Sequence, residues 1–251
     1  MIEILLNTKA LSKTYEMGEI MVHALRHVDL DVYKGDFIAI MGVSGSGKTT
    51  FMNLLGCLDK PSSGDYILEG IAVHEMEDEK LTQIRNQKIG YVFQSFYLLP
   101  RTTALENVEL PLLYCHKCSL HERHQKAMDA LRTVGIEDRA KHFPNQLSGG
   151  QQQRVAIARA IVNNPSFILA DEPTGNLDSR TSIEVMAVMQ ELHAQGKTVI
   201  LVTHEPEIAQ YAHRHITFRD GRIIQDKPNK NPKDASRDLM NLPRISDEEE
   251  A

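Results

Sequence analysis

The sequence predicts an α/β fold built on a mostly parallel sheet, and three observations support this class. Uninterrupted apolar runs rich in branched side chains are predicted to be buried strands, at Phe37–Met41, Ile89–Phe93, Phe167–Ala170 and Thr198–Val202. Runs without polar alternation are typical of parallel strands that are covered on both faces. Helical patterns separate the runs, and a glycine-rich loop follows the first one. Strands that alternate with helices indicate the α/β class.

The segments on either side of the first helix have another pattern. Val28–Val32 alternates apolar with acidic side chains, as a half-exposed antiparallel strand does. Ile67–Val73 is similar and follows a turn expected at Ser62–Gly64. We therefore expect a small antiparallel β subdomain beside the parallel core.

Two helices are predicted from apolar side chains at helical spacing and from a glycine that ends each of them. They are Ser179–Gln195, before Gly196, and Leu120–Val134, before Gly135. The second helix lies in a mostly helical stretch. We predict that this stretch is an insertion subdomain over about residues 104–163.

Composition restricts the class of protein. The 251 residues are 41% hydrophobic and 25% charged, which is ordinary for a soluble globular chain. The net charge of −6 argues against nucleic acid as a general partner. No apolar run approaches the roughly 20 residues that cross a bilayer. Met1–Leu6 lacks the basic region and cleavage site of a secretion signal, so a cytoplasmic location is expected.

Cysteine and histidine are concentrated in one short stretch, which contains Cys115, Cys118, His121 and His124. Three cysteines in a cytoplasmic chain do not form a disulfide framework. The stretch is either a metal-ligand cluster or a solvated helical edge, with His124 as a candidate for partial burial. The spacing is not that of a closed zinc site, which favours the solvated edge.

The glycine-rich loop after the first strand carries the clearest chemistry. Gly42–Thr49 fits the pattern G-x-x-x-x-G-K-[ST] and precedes an apolar helix. Glycines let backbone N–H groups curl around a triphosphate, Lys48 reaches its β- and γ-phosphates, and Thr49 is a Mg²⁺ ligand. A purely structural glycine turn would not need the Lys-Thr pair. The candidate triphosphate contacts are Gly42, Ser44, Gly45, Ser46, Gly47, Lys48, Thr49 and Thr50.

Two carboxylates end the third predicted strand. Asp171 follows Phe167–Ala170 directly and is placed to hold Mg²⁺, as the carboxylate at this strand end does in P-loop enzymes. Glu172 is placed to polarise a water molecule for attack on the γ-phosphate. Solvated acids at a strand end are the alternative, and the P-loop upstream makes that alternative less favourable.

Polar side chains also follow the other two strands, at the edge where open α/β sheets bind their ligands. Gln94 follows the second strand and can reach the metal or the attacking water. His204 follows the fourth strand and can contact the γ-phosphate. Taken singly, each is more simply explained as a loop residue with local hydrogen bonds.

A second glycine-bearing turn, Leu147–Gln151, stands before an alanine-rich helical run. Ser148, Gly149 and Gly150 would leave a helix N-terminus with free N–H groups and little bulk, which makes a second anion site. The P-loop already supplies a complete cradle. The second site is therefore better interpreted as one that the chain offers to another copy of itself.

In this order, the motifs resemble those of the ATP-binding cassette family of ATPases. The resemblance covers about residues 3–226 and includes Walker A, the Q-loop, the signature motif, Walker B with its glutamate, the D-loop and the switch histidine. The corresponding residues are Gly42–Thr49, Gln94, Leu147–Gln151, Phe167–Asp171 with Glu172, Asn176–Asp178 and His204. Tyr15 stands where the family has an aromatic side chain that stacks on adenine.

The resemblance implies a P-loop NTPase core, an antiparallel β subdomain and a helical insertion within one nucleotide-binding domain over residues 1–226. It does not extend to residues 227–251, where prolines, asparagines and lysines precede a run of acidic residues. We expect a mobile charged C-terminal tail there.

The resemblance also implies the chemistry of the site. ATP and Mg²⁺ would be the cofactors, with Thr49, Gln94 and Asp171 at the metal. Glu172 would be the general base, and His204 and Gln94 would complete the catalytic set. Two copies would close head to tail as a homodimer. The further nucleotide contacts would be Tyr15, Ser148, Gly149, Gly150, Gln151 and Asp178.

Three segments resemble the ATPase components of MacB-type and LolD-type systems, at Glu172–Asp178, Gln151–Arg154 and Glu106–Leu112. Those systems work with permeases that have few transmembrane helices and large extracytoplasmic domains. The stand-alone LolD-like arrangement is implied, peripheral to the inner face of the cell membrane, and it would power export, lipoprotein release or mechanical work. Ser95–Arg101 would face the permease. Core packing is an equal explanation for its apolar residues Tyr97, Leu98 and Leu99.

Three alternatives remain. An FtsE-like ATPase would act mechanically on a membrane partner that controls cell-wall enzymes, with the same catalytic residues. A soluble ATPase of DNA repair or translation would carry long coiled coils or two cassettes in one chain, and this sequence shows neither. An inactive nucleotide-binding scaffold is disfavoured by the intact Lys48, Asp171, Glu172 and His204.

Overall fold

The structure is a computed structural model that describes residues 3–114 and 118–242. Within these residues the strands are β1 (Ile4–Met17), β2 (Ile20–Tyr33), β3 (Phe37–Met41), β4 (Ser63–Leu68), β5 (Ile71–Ala72), β6 (Ile89–Phe93), β7 (Phe167–Asp171), β8 (Thr198–Val202), β9 (Arg214–Arg219) and β10 (Arg222–Pro228). The helices are α1 (Lys48–Leu55), α2 (Asp78–Lys88), α3 (Ala104–Glu109), α4 (Leu120–Thr133), α5 (Gly149–Ile161), α6 (Ser179–Ala194), α7 (Pro206–Ala209) and α8 (Ala235–Asn241).

A six-stranded sheet with the order β10-β9-β3-β8-β7-β6 forms the centre of the fold. The four pairings that join β9, β3, β8, β7 and β6 are parallel, and β10 pairs antiparallel with β9. The four strands predicted from apolar runs are confirmed as β3, β6, β7 and β8. Phe93 is in register with Asp171, and Asp171 with Val202, so the residues that follow these strands emerge at one edge of the sheet.

Both faces of this sheet are covered, as successive residues of β3 show. Phe37 and Ala39 belong to one apolar core, together with side chains of α4, α5 and α6. Ile38 and Ile40 belong to a second core, together with side chains of α1 and the antiparallel sheet. Each of the four is at most 1% exposed. Burial on both faces is the reason why the sequence of this strand shows no polar alternation.

The predicted β subdomain is confirmed as an antiparallel sheet with the order β2-β1-β4-β5. Its first hairpin is longer than the sequence indicates, because β2 begins at Ile20 rather than near Val28 and Met17 pairs with Ile20. This length carries the start of β2 to the P-loop end of the molecule.

The turn expected at Ser62–Gly64 is wrong, because β4 begins at Ser63. Gly64 has φ +87° within the strand, and a Cβ on it would lie 2.3 Å from the carbonyl oxygen of Ala10. The glycine therefore allows β4 to approach β1 closely and does not reverse the chain. The chain reverses after β4, at Glu69 and Gly70, where both φ angles are positive.

Both predicted helices are confirmed, each one residue shorter than expected at its C-terminus, as α4 and α6. The glycines that follow them have positive φ, +67° at Gly135 and +90° at Gly196, as helix-ending glycines do. α3, α4 and α5 pack on one another to form the helical subdomain, and α5 also packs on β6. Among the described helices, none has both the length and the apolar character needed to cross a bilayer.

The Cys/His stretch is only partly described, since Cys115 lies outside the described residues. His124 is exposed, with Nδ1 3.3 Å from the carboxylate of Glu109, so the partial burial considered for it is wrong. Within residues 3–114 and 118–242, no group of three or more His, Cys, Asp or Glu side chains is arranged to hold a metal ion.

The boundary expected at residue 226 falls inside β10, and α8 follows that strand. α8 packs on α6: Ala235 is fully buried, and Asp238 accepts a hydrogen bond from the Tyr211 hydroxyl at 2.9 Å. Residues 227–242 therefore belong to the folded domain, because they bury apolar surface and pair their polar groups. The rest of the expected tail, residues 243–251, lies outside the described residues.

Candidate functional site

The P-loop lies between β3 and α1, and its glycines determine its shape. Gly45 and Gly47 have φ angles of +77° and +102°, a region that residues with side chains rarely adopt. A Cβ on Gly47 would lie 2.7 Å from the carbonyl oxygen of Ala24. The loop therefore curls tightly over the N-terminus of α1, which is the end of a helix that favours a phosphate.

Lys48 and Ser46 show that the loop is suited to an anion. Lys48 is 7% exposed, and its ammonium donates to the carbonyl oxygens of Gly42 at 2.8 Å and Val43 at 3.0 Å, with no carboxylate partner among the described residues. The Ser46 hydroxyl is buried and has no hydrogen-bond partner in the described part of the chain. Buried polar groups are normally paired, so both groups fit contact with a phosphate.

A cavity of about 810 Å³ opens above the loop, a volume that suits a nucleoside triphosphate. Its lining includes residues 44–50 of the P-loop together with Glu172 and His204. The structure thus brings all of the expected triphosphate contacts except Gly42 together with two of the three residues predicted to be catalytic. The residues present fit ATP.

The two carboxylates at the end of β7 differ in their surroundings. Burial raises the pKa of the Asp171 carboxyl, and the neighbouring Glu172 raises it further, whereas Lys48 opposes the shift. A bound cation would favour the ionised carboxylate, so Asp171 fits a Mg²⁺ ligand. Glu172 has φ +45°, and its N–H donates to the carbonyl oxygen of Val202 at 2.8 Å. This strained conformation directs the Glu172 side chain toward the cavity.

His204 contacts Glu172 directly. Its Nδ1 lies 2.8 Å from Glu172 Oε1, and its side chain is 60% exposed at the cavity. A histidine that bonds a carboxylate through one ring nitrogen keeps the other for a second partner. The pair can therefore hold a base and contact a phosphate at the same time.

Gln94 lies at the end of β6, but the lining of the P-loop cavity does not include it. Its Nε2 donates to Asn176 Oδ1 at 3.2 Å, and Asn176 Nδ2 donates to the Gln94 carbonyl oxygen at 3.1 Å. The Gln94 amide is thus directed to the D-loop. Contact between Gln94 and a metal would require this pair to separate.

The signature turn is the N-terminus of α5, with Ser148 as the N-cap. The Ser148 hydroxyl accepts from the Gln151 N–H at 3.3 Å, and Gln151 Oε1 accepts from the Ser148 N–H at 3.0 Å. The hydroxyl hydrogen remains free to donate. A Cβ on Gly150 would lie 2.2 Å from Thr181 Cγ2, so this glycine also permits the close contact of α5 with α6. The cavity above the P-loop has none of these residues in its lining.

Asp178 and Tyr15 are held by partners outside the cavity lining. Asp178 caps α6, where its carboxylate accepts from the Thr181 N–H at 2.9 Å and the Thr181 hydroxyl at 2.5 Å. The Tyr15 hydroxyl donates to Asp59 at 2.8 Å, and Lys13 Nζ lies 4.9 Å from the centre of its ring. Asp178 therefore has a structural role besides the nucleotide contact expected of it, and the Tyr15 ring is fixed in position.

Sequence reasoning missed part of the cavity wall. β2 contributes to the wall, and so does the turn between β9 and β10, through Val22, His23, Ala24, Arg26, Asp220 and Gly221. The signal was available in the hairpin register, because Val22 pairs with Tyr15, the position expected at adenine. Extending the predicted strand from Val28 back to Ile20 would have found the β2 residues, whereas Asp220 and Gly221 belong to a distant turn that the register of this hairpin does not indicate.

This fold and site define a P-loop ATPase of the cassette type, and the family comparison agrees. The chain belongs to the ABC transporter family, whose family model matches residues 25–175, more than half of the chain. The chain is therefore an ATPase and the ATP-binding subunit of an ABC transporter.

Two individual relatives within this family are similar to the chain over most of its length. The chain is 52% identical over 223 residues to the uncharacterized ABC transporter ATP-binding protein YvrO of Bacillus subtilis, covering 89% of this chain and 97% of YvrO. It is 48% identical over 239 residues to the macrolide export ATP-binding/permease protein MacB 1 of Yersinia pestis. That match covers 95% of this chain and 37% of MacB 1.

Solved structures share the fold. The dimeric structure of a post-hydrolysis state of the ATP-binding cassette MJ0796 bound to ADP and Pi, from Methanocaldococcus jannaschii, has a TM-score of 0.82 and 47% identity. The alignment covers 90% of this chain and 99% of that one. The structure of cbiO1 from Clostridium perfringens has a TM-score of 0.81 at 28% identity, covering 96% of each chain.

Proposed function

We propose that this chain is the ATP-hydrolysing subunit of a MacB/LolD-like complex that powers export, lipoprotein release or mechanical work. The observation that carries the proposal is the contact between Glu172 and His204 over the P-loop cavity, because the residues that we propose as base and as phosphate contact adjoin each other there. MacB 1 is by name an ATP-binding and permease protein, and this chain matches 37% of its length. A membrane permease at the inner face of the cell membrane is therefore the partner we propose.

In the proposed reaction, Lys48 would hold the β- and γ-phosphates, while Thr49 and Asp171 would hold Mg²⁺. When bound, Mg²⁺ neutralises charge on the β- and γ-phosphate oxygens. Glu172 accepts a proton from the water that attacks the γ-phosphorus, and the bond from the γ-phosphorus to its bridging oxygen breaks to leave ADP and phosphate. His204 holds Glu172 through Nδ1 and offers Nε2 to the γ-phosphate.

A homodimer would complete the site. Each ATP would lie between the P-loop of one copy and Ser148, Gly149 and Gly150 of the other, because those residues form a helix N-terminus with a free hydroxyl donor. A second helix N-terminus stabilises the negative γ-phosphate, and hydrolysis removes the group that joins the copies. The MJ0796 cassette has been solved as a dimer, which supports this arrangement.

The permease would contact the loop that follows Gln94. Tyr97 is 66% exposed and Leu99 is 47% exposed, while Leu98 packs partly against the core. For Tyr97 and Leu99, this exposure beside Gln94 favours a docking surface over core packing. A permease that moves this loop would act on Gln94 through the chain itself.

A groove between α2, β6 and α5 adjoins this loop and indicates the chemistry of the permease segment. It has a volume of about 460 Å³, and its lining surface is mostly apolar although half of the lining residues are polar or charged, including Arg85 and Arg159. Neither guanidinium has a carboxylate partner among the described residues. Arg159 donates to the carbonyl oxygens of Phe96 and Tyr97 at 2.6 Å each, and burial lowers the pKa of its guanidinium. We propose that a helix of the permease binds in this groove, with apolar side chains against its apolar surface and a carboxylate that pairs with an arginine.

Glu172→Gln tests the catalytic proposal. The substitution keeps the size of the side chain and removes the base, so ATP hydrolysis should fall by about 10²–10⁴-fold while ATP binding persists and an ATP-bound dimer accumulates. Phosphate release, nucleotide titration and gel filtration measure the three effects. Glu207→Gln, the same change at an exposed position, is the control. Near-normal hydrolysis by Glu172→Gln would rule out Glu172 as the base.

The partner is tested with the permease encoded beside this chain. A four-helix permease with a large extracytoplasmic domain should bring the chain to the membrane fraction and change its ATPase rate. A many-helix permease accompanied by a solute-binding protein would indicate import and contradict the subgroup.

A further inference from the structure

Gln153 is a buried polar side chain on the signature helix that the catalytic scheme does not use. It lies on α5, one turn beyond the Ser148 cap, and is fully buried. Its Nε2 donates to the carbonyl oxygen of Pro173 at 2.7 Å and lies 3.4 Å from that of Phe93. Because both neighbours are acceptors, the nitrogen of the amide must face them.

The two carbonyl groups flank residues of the reaction centre. Phe93 directly precedes Gln94, and Pro173 directly follows Glu172. β6 and β7, which these residues end, are neighbours in the sheet. The buried amide of Gln153 therefore joins two loops to α5. One is the loop after β6, which contains Gln94, and the other is the loop after β7, which contains Glu172.

The same two loops are also joined on their exposed side. Gln94 and Asn176 exchange hydrogen bonds, and a Cβ on Gly175 would lie 2.6 Å from Gln94 Nε2. The loop after β6 is thus held against the loop after β7 from the buried side by Gln153 and from the exposed side by Asn176.

Packing alone does not explain a glutamine at position 153. Its Oε1 is buried and has no hydrogen-bond partner in the described residues. An unsatisfied buried oxygen destabilises a fold, and methionine would fill a similar volume without it. The hydrogen bonds that Gln153 Nε2 donates are therefore the favourable contacts that an apolar residue at this position could not make.

We propose that Gln153 is a positioning residue that couples the two ATP sites of the dimer. It holds Gln94 and Glu172, which act in the site of their own P-loop, to the helix whose Ser148 end faces the ATP of the other site. A shift of α5 as the dimer closes would then move both loops. The proposal depends on the roles proposed above for Gln94, Glu172 and the composite site.

Gln153→Met removes the donor at similar volume. We expect kcat for ATP hydrolysis to fall by about 10- to 100-fold, as small displacements of reacting groups do. The Mg²⁺ concentration for half-maximal rate should rise, and the Hill coefficient for ATP should fall toward one. ATP affinity without Mg²⁺ should not change. A residue that only stabilises the fold would not shift the Mg²⁺ requirement or the Hill coefficient.

Gln152→Met is the matched control, because the Gln152 amide is on the same helix and donates to Leu147 at 3.1 Å, away from both loops. Gln153→Asn keeps an amide in the core but is too short to reach both carbonyl groups. It should reproduce the effects of Gln153→Met, and it takes the place of that variant if the methionine protein does not fold.

The outcomes separate this inference from the function proposed above. Wild-type kcat, Mg²⁺ requirement and Hill coefficient in the folded Gln153 variants would overturn it, as would equal losses in Gln152→Met. If Glu172→Gln is inactive in the same assay while the Gln153 variants are normal, only the positioning role fails. If Glu172→Gln is active, the assignment of the base fails, and the inference that rests on it fails as well.

Discussion

Replacing Gly150 by alanine tests the contact between the signature helix and α6. The new Cβ would lie 2.2 Å from Thr181 Cγ2, whereas carbon atoms pack at about 3.5–4.0 Å, so the helices would have to separate by more than about 1 Å. The Thr181 methyl is held in place because its hydroxyl bonds Asp178 at 2.5 Å. Overpacking costs about 1–3 kcal/mol, and the helix propensity gained offsets up to about 1 kcal/mol. We expect the free energy of unfolding to fall by about 1–2 kcal/mol.

Urea unfolding followed by circular dichroism measures this change. Gly149→Ala is the matched control, because its Cβ would lie 3.1 Å from Leu177 Cδ2, the end of a flexible side chain that can move aside. Thr181→Ser removes the methyl that the new Cβ would meet and keeps the hydroxyl. Added to Gly150→Ala, it should therefore recover most of the stability that Gly150→Ala loses. A Gly150→Ala protein as stable as the wild type, or more stable, would show that helix propensity dominates and would refute the packing argument.

Two further changes test the dimer site and the cap of α6. Ser148→Arg should block hydrolysis and leave ATP binding to the monomer unchanged, because it puts a large cation on the surface offered to the other copy; normal hydrolysis would contradict a composite site. Hydrogen bonds from Thr181 lower the pKa of the Asp178 carboxyl below its ordinary value of 3.8. Its contribution to stability is therefore complete above that value and is lost as pH falls through the lower pKa of the folded state. Urea midpoints should fall more steeply below about pH 4 for the wild type than for Asp178→Asn; parallel profiles would contradict the cap.

Local patterns in the sequence were enough to find the main elements of the fold. The strand Phe37–Met41 is uninterrupted because alternate residues face two different cores. Gly135 and Gly196 end their helices because they adopt positive φ. In each case the cause lies within a few residues of the effect.

Elements with distant partners were less predictable. The full length of β2 depends on its pairing with β1. Gly64 does not form a turn, and instead lets β4 pack closely against Ala10. Residues 227–242 have the composition of a tail, yet α8 is stabilised by its contact with α6. Composition does not show whether a surface elsewhere in the chain will cover a short apolar segment.

The sequence by itself determined which side chains are candidates for the chemistry, because Lys48, Asp171, Glu172 and His204 lie at or beyond the ends of strands that open on one edge of a parallel sheet. Only the tertiary structure decided which side chains meet. It directs Gln94 to Asn176, brings His23 to the cavity above the P-loop and sets the amide of Gln153 against the carbonyl groups of Phe93 and Pro173. These contacts join residues that are tens of positions apart, and their geometry follows from how helices and strands pack, which no local pattern records.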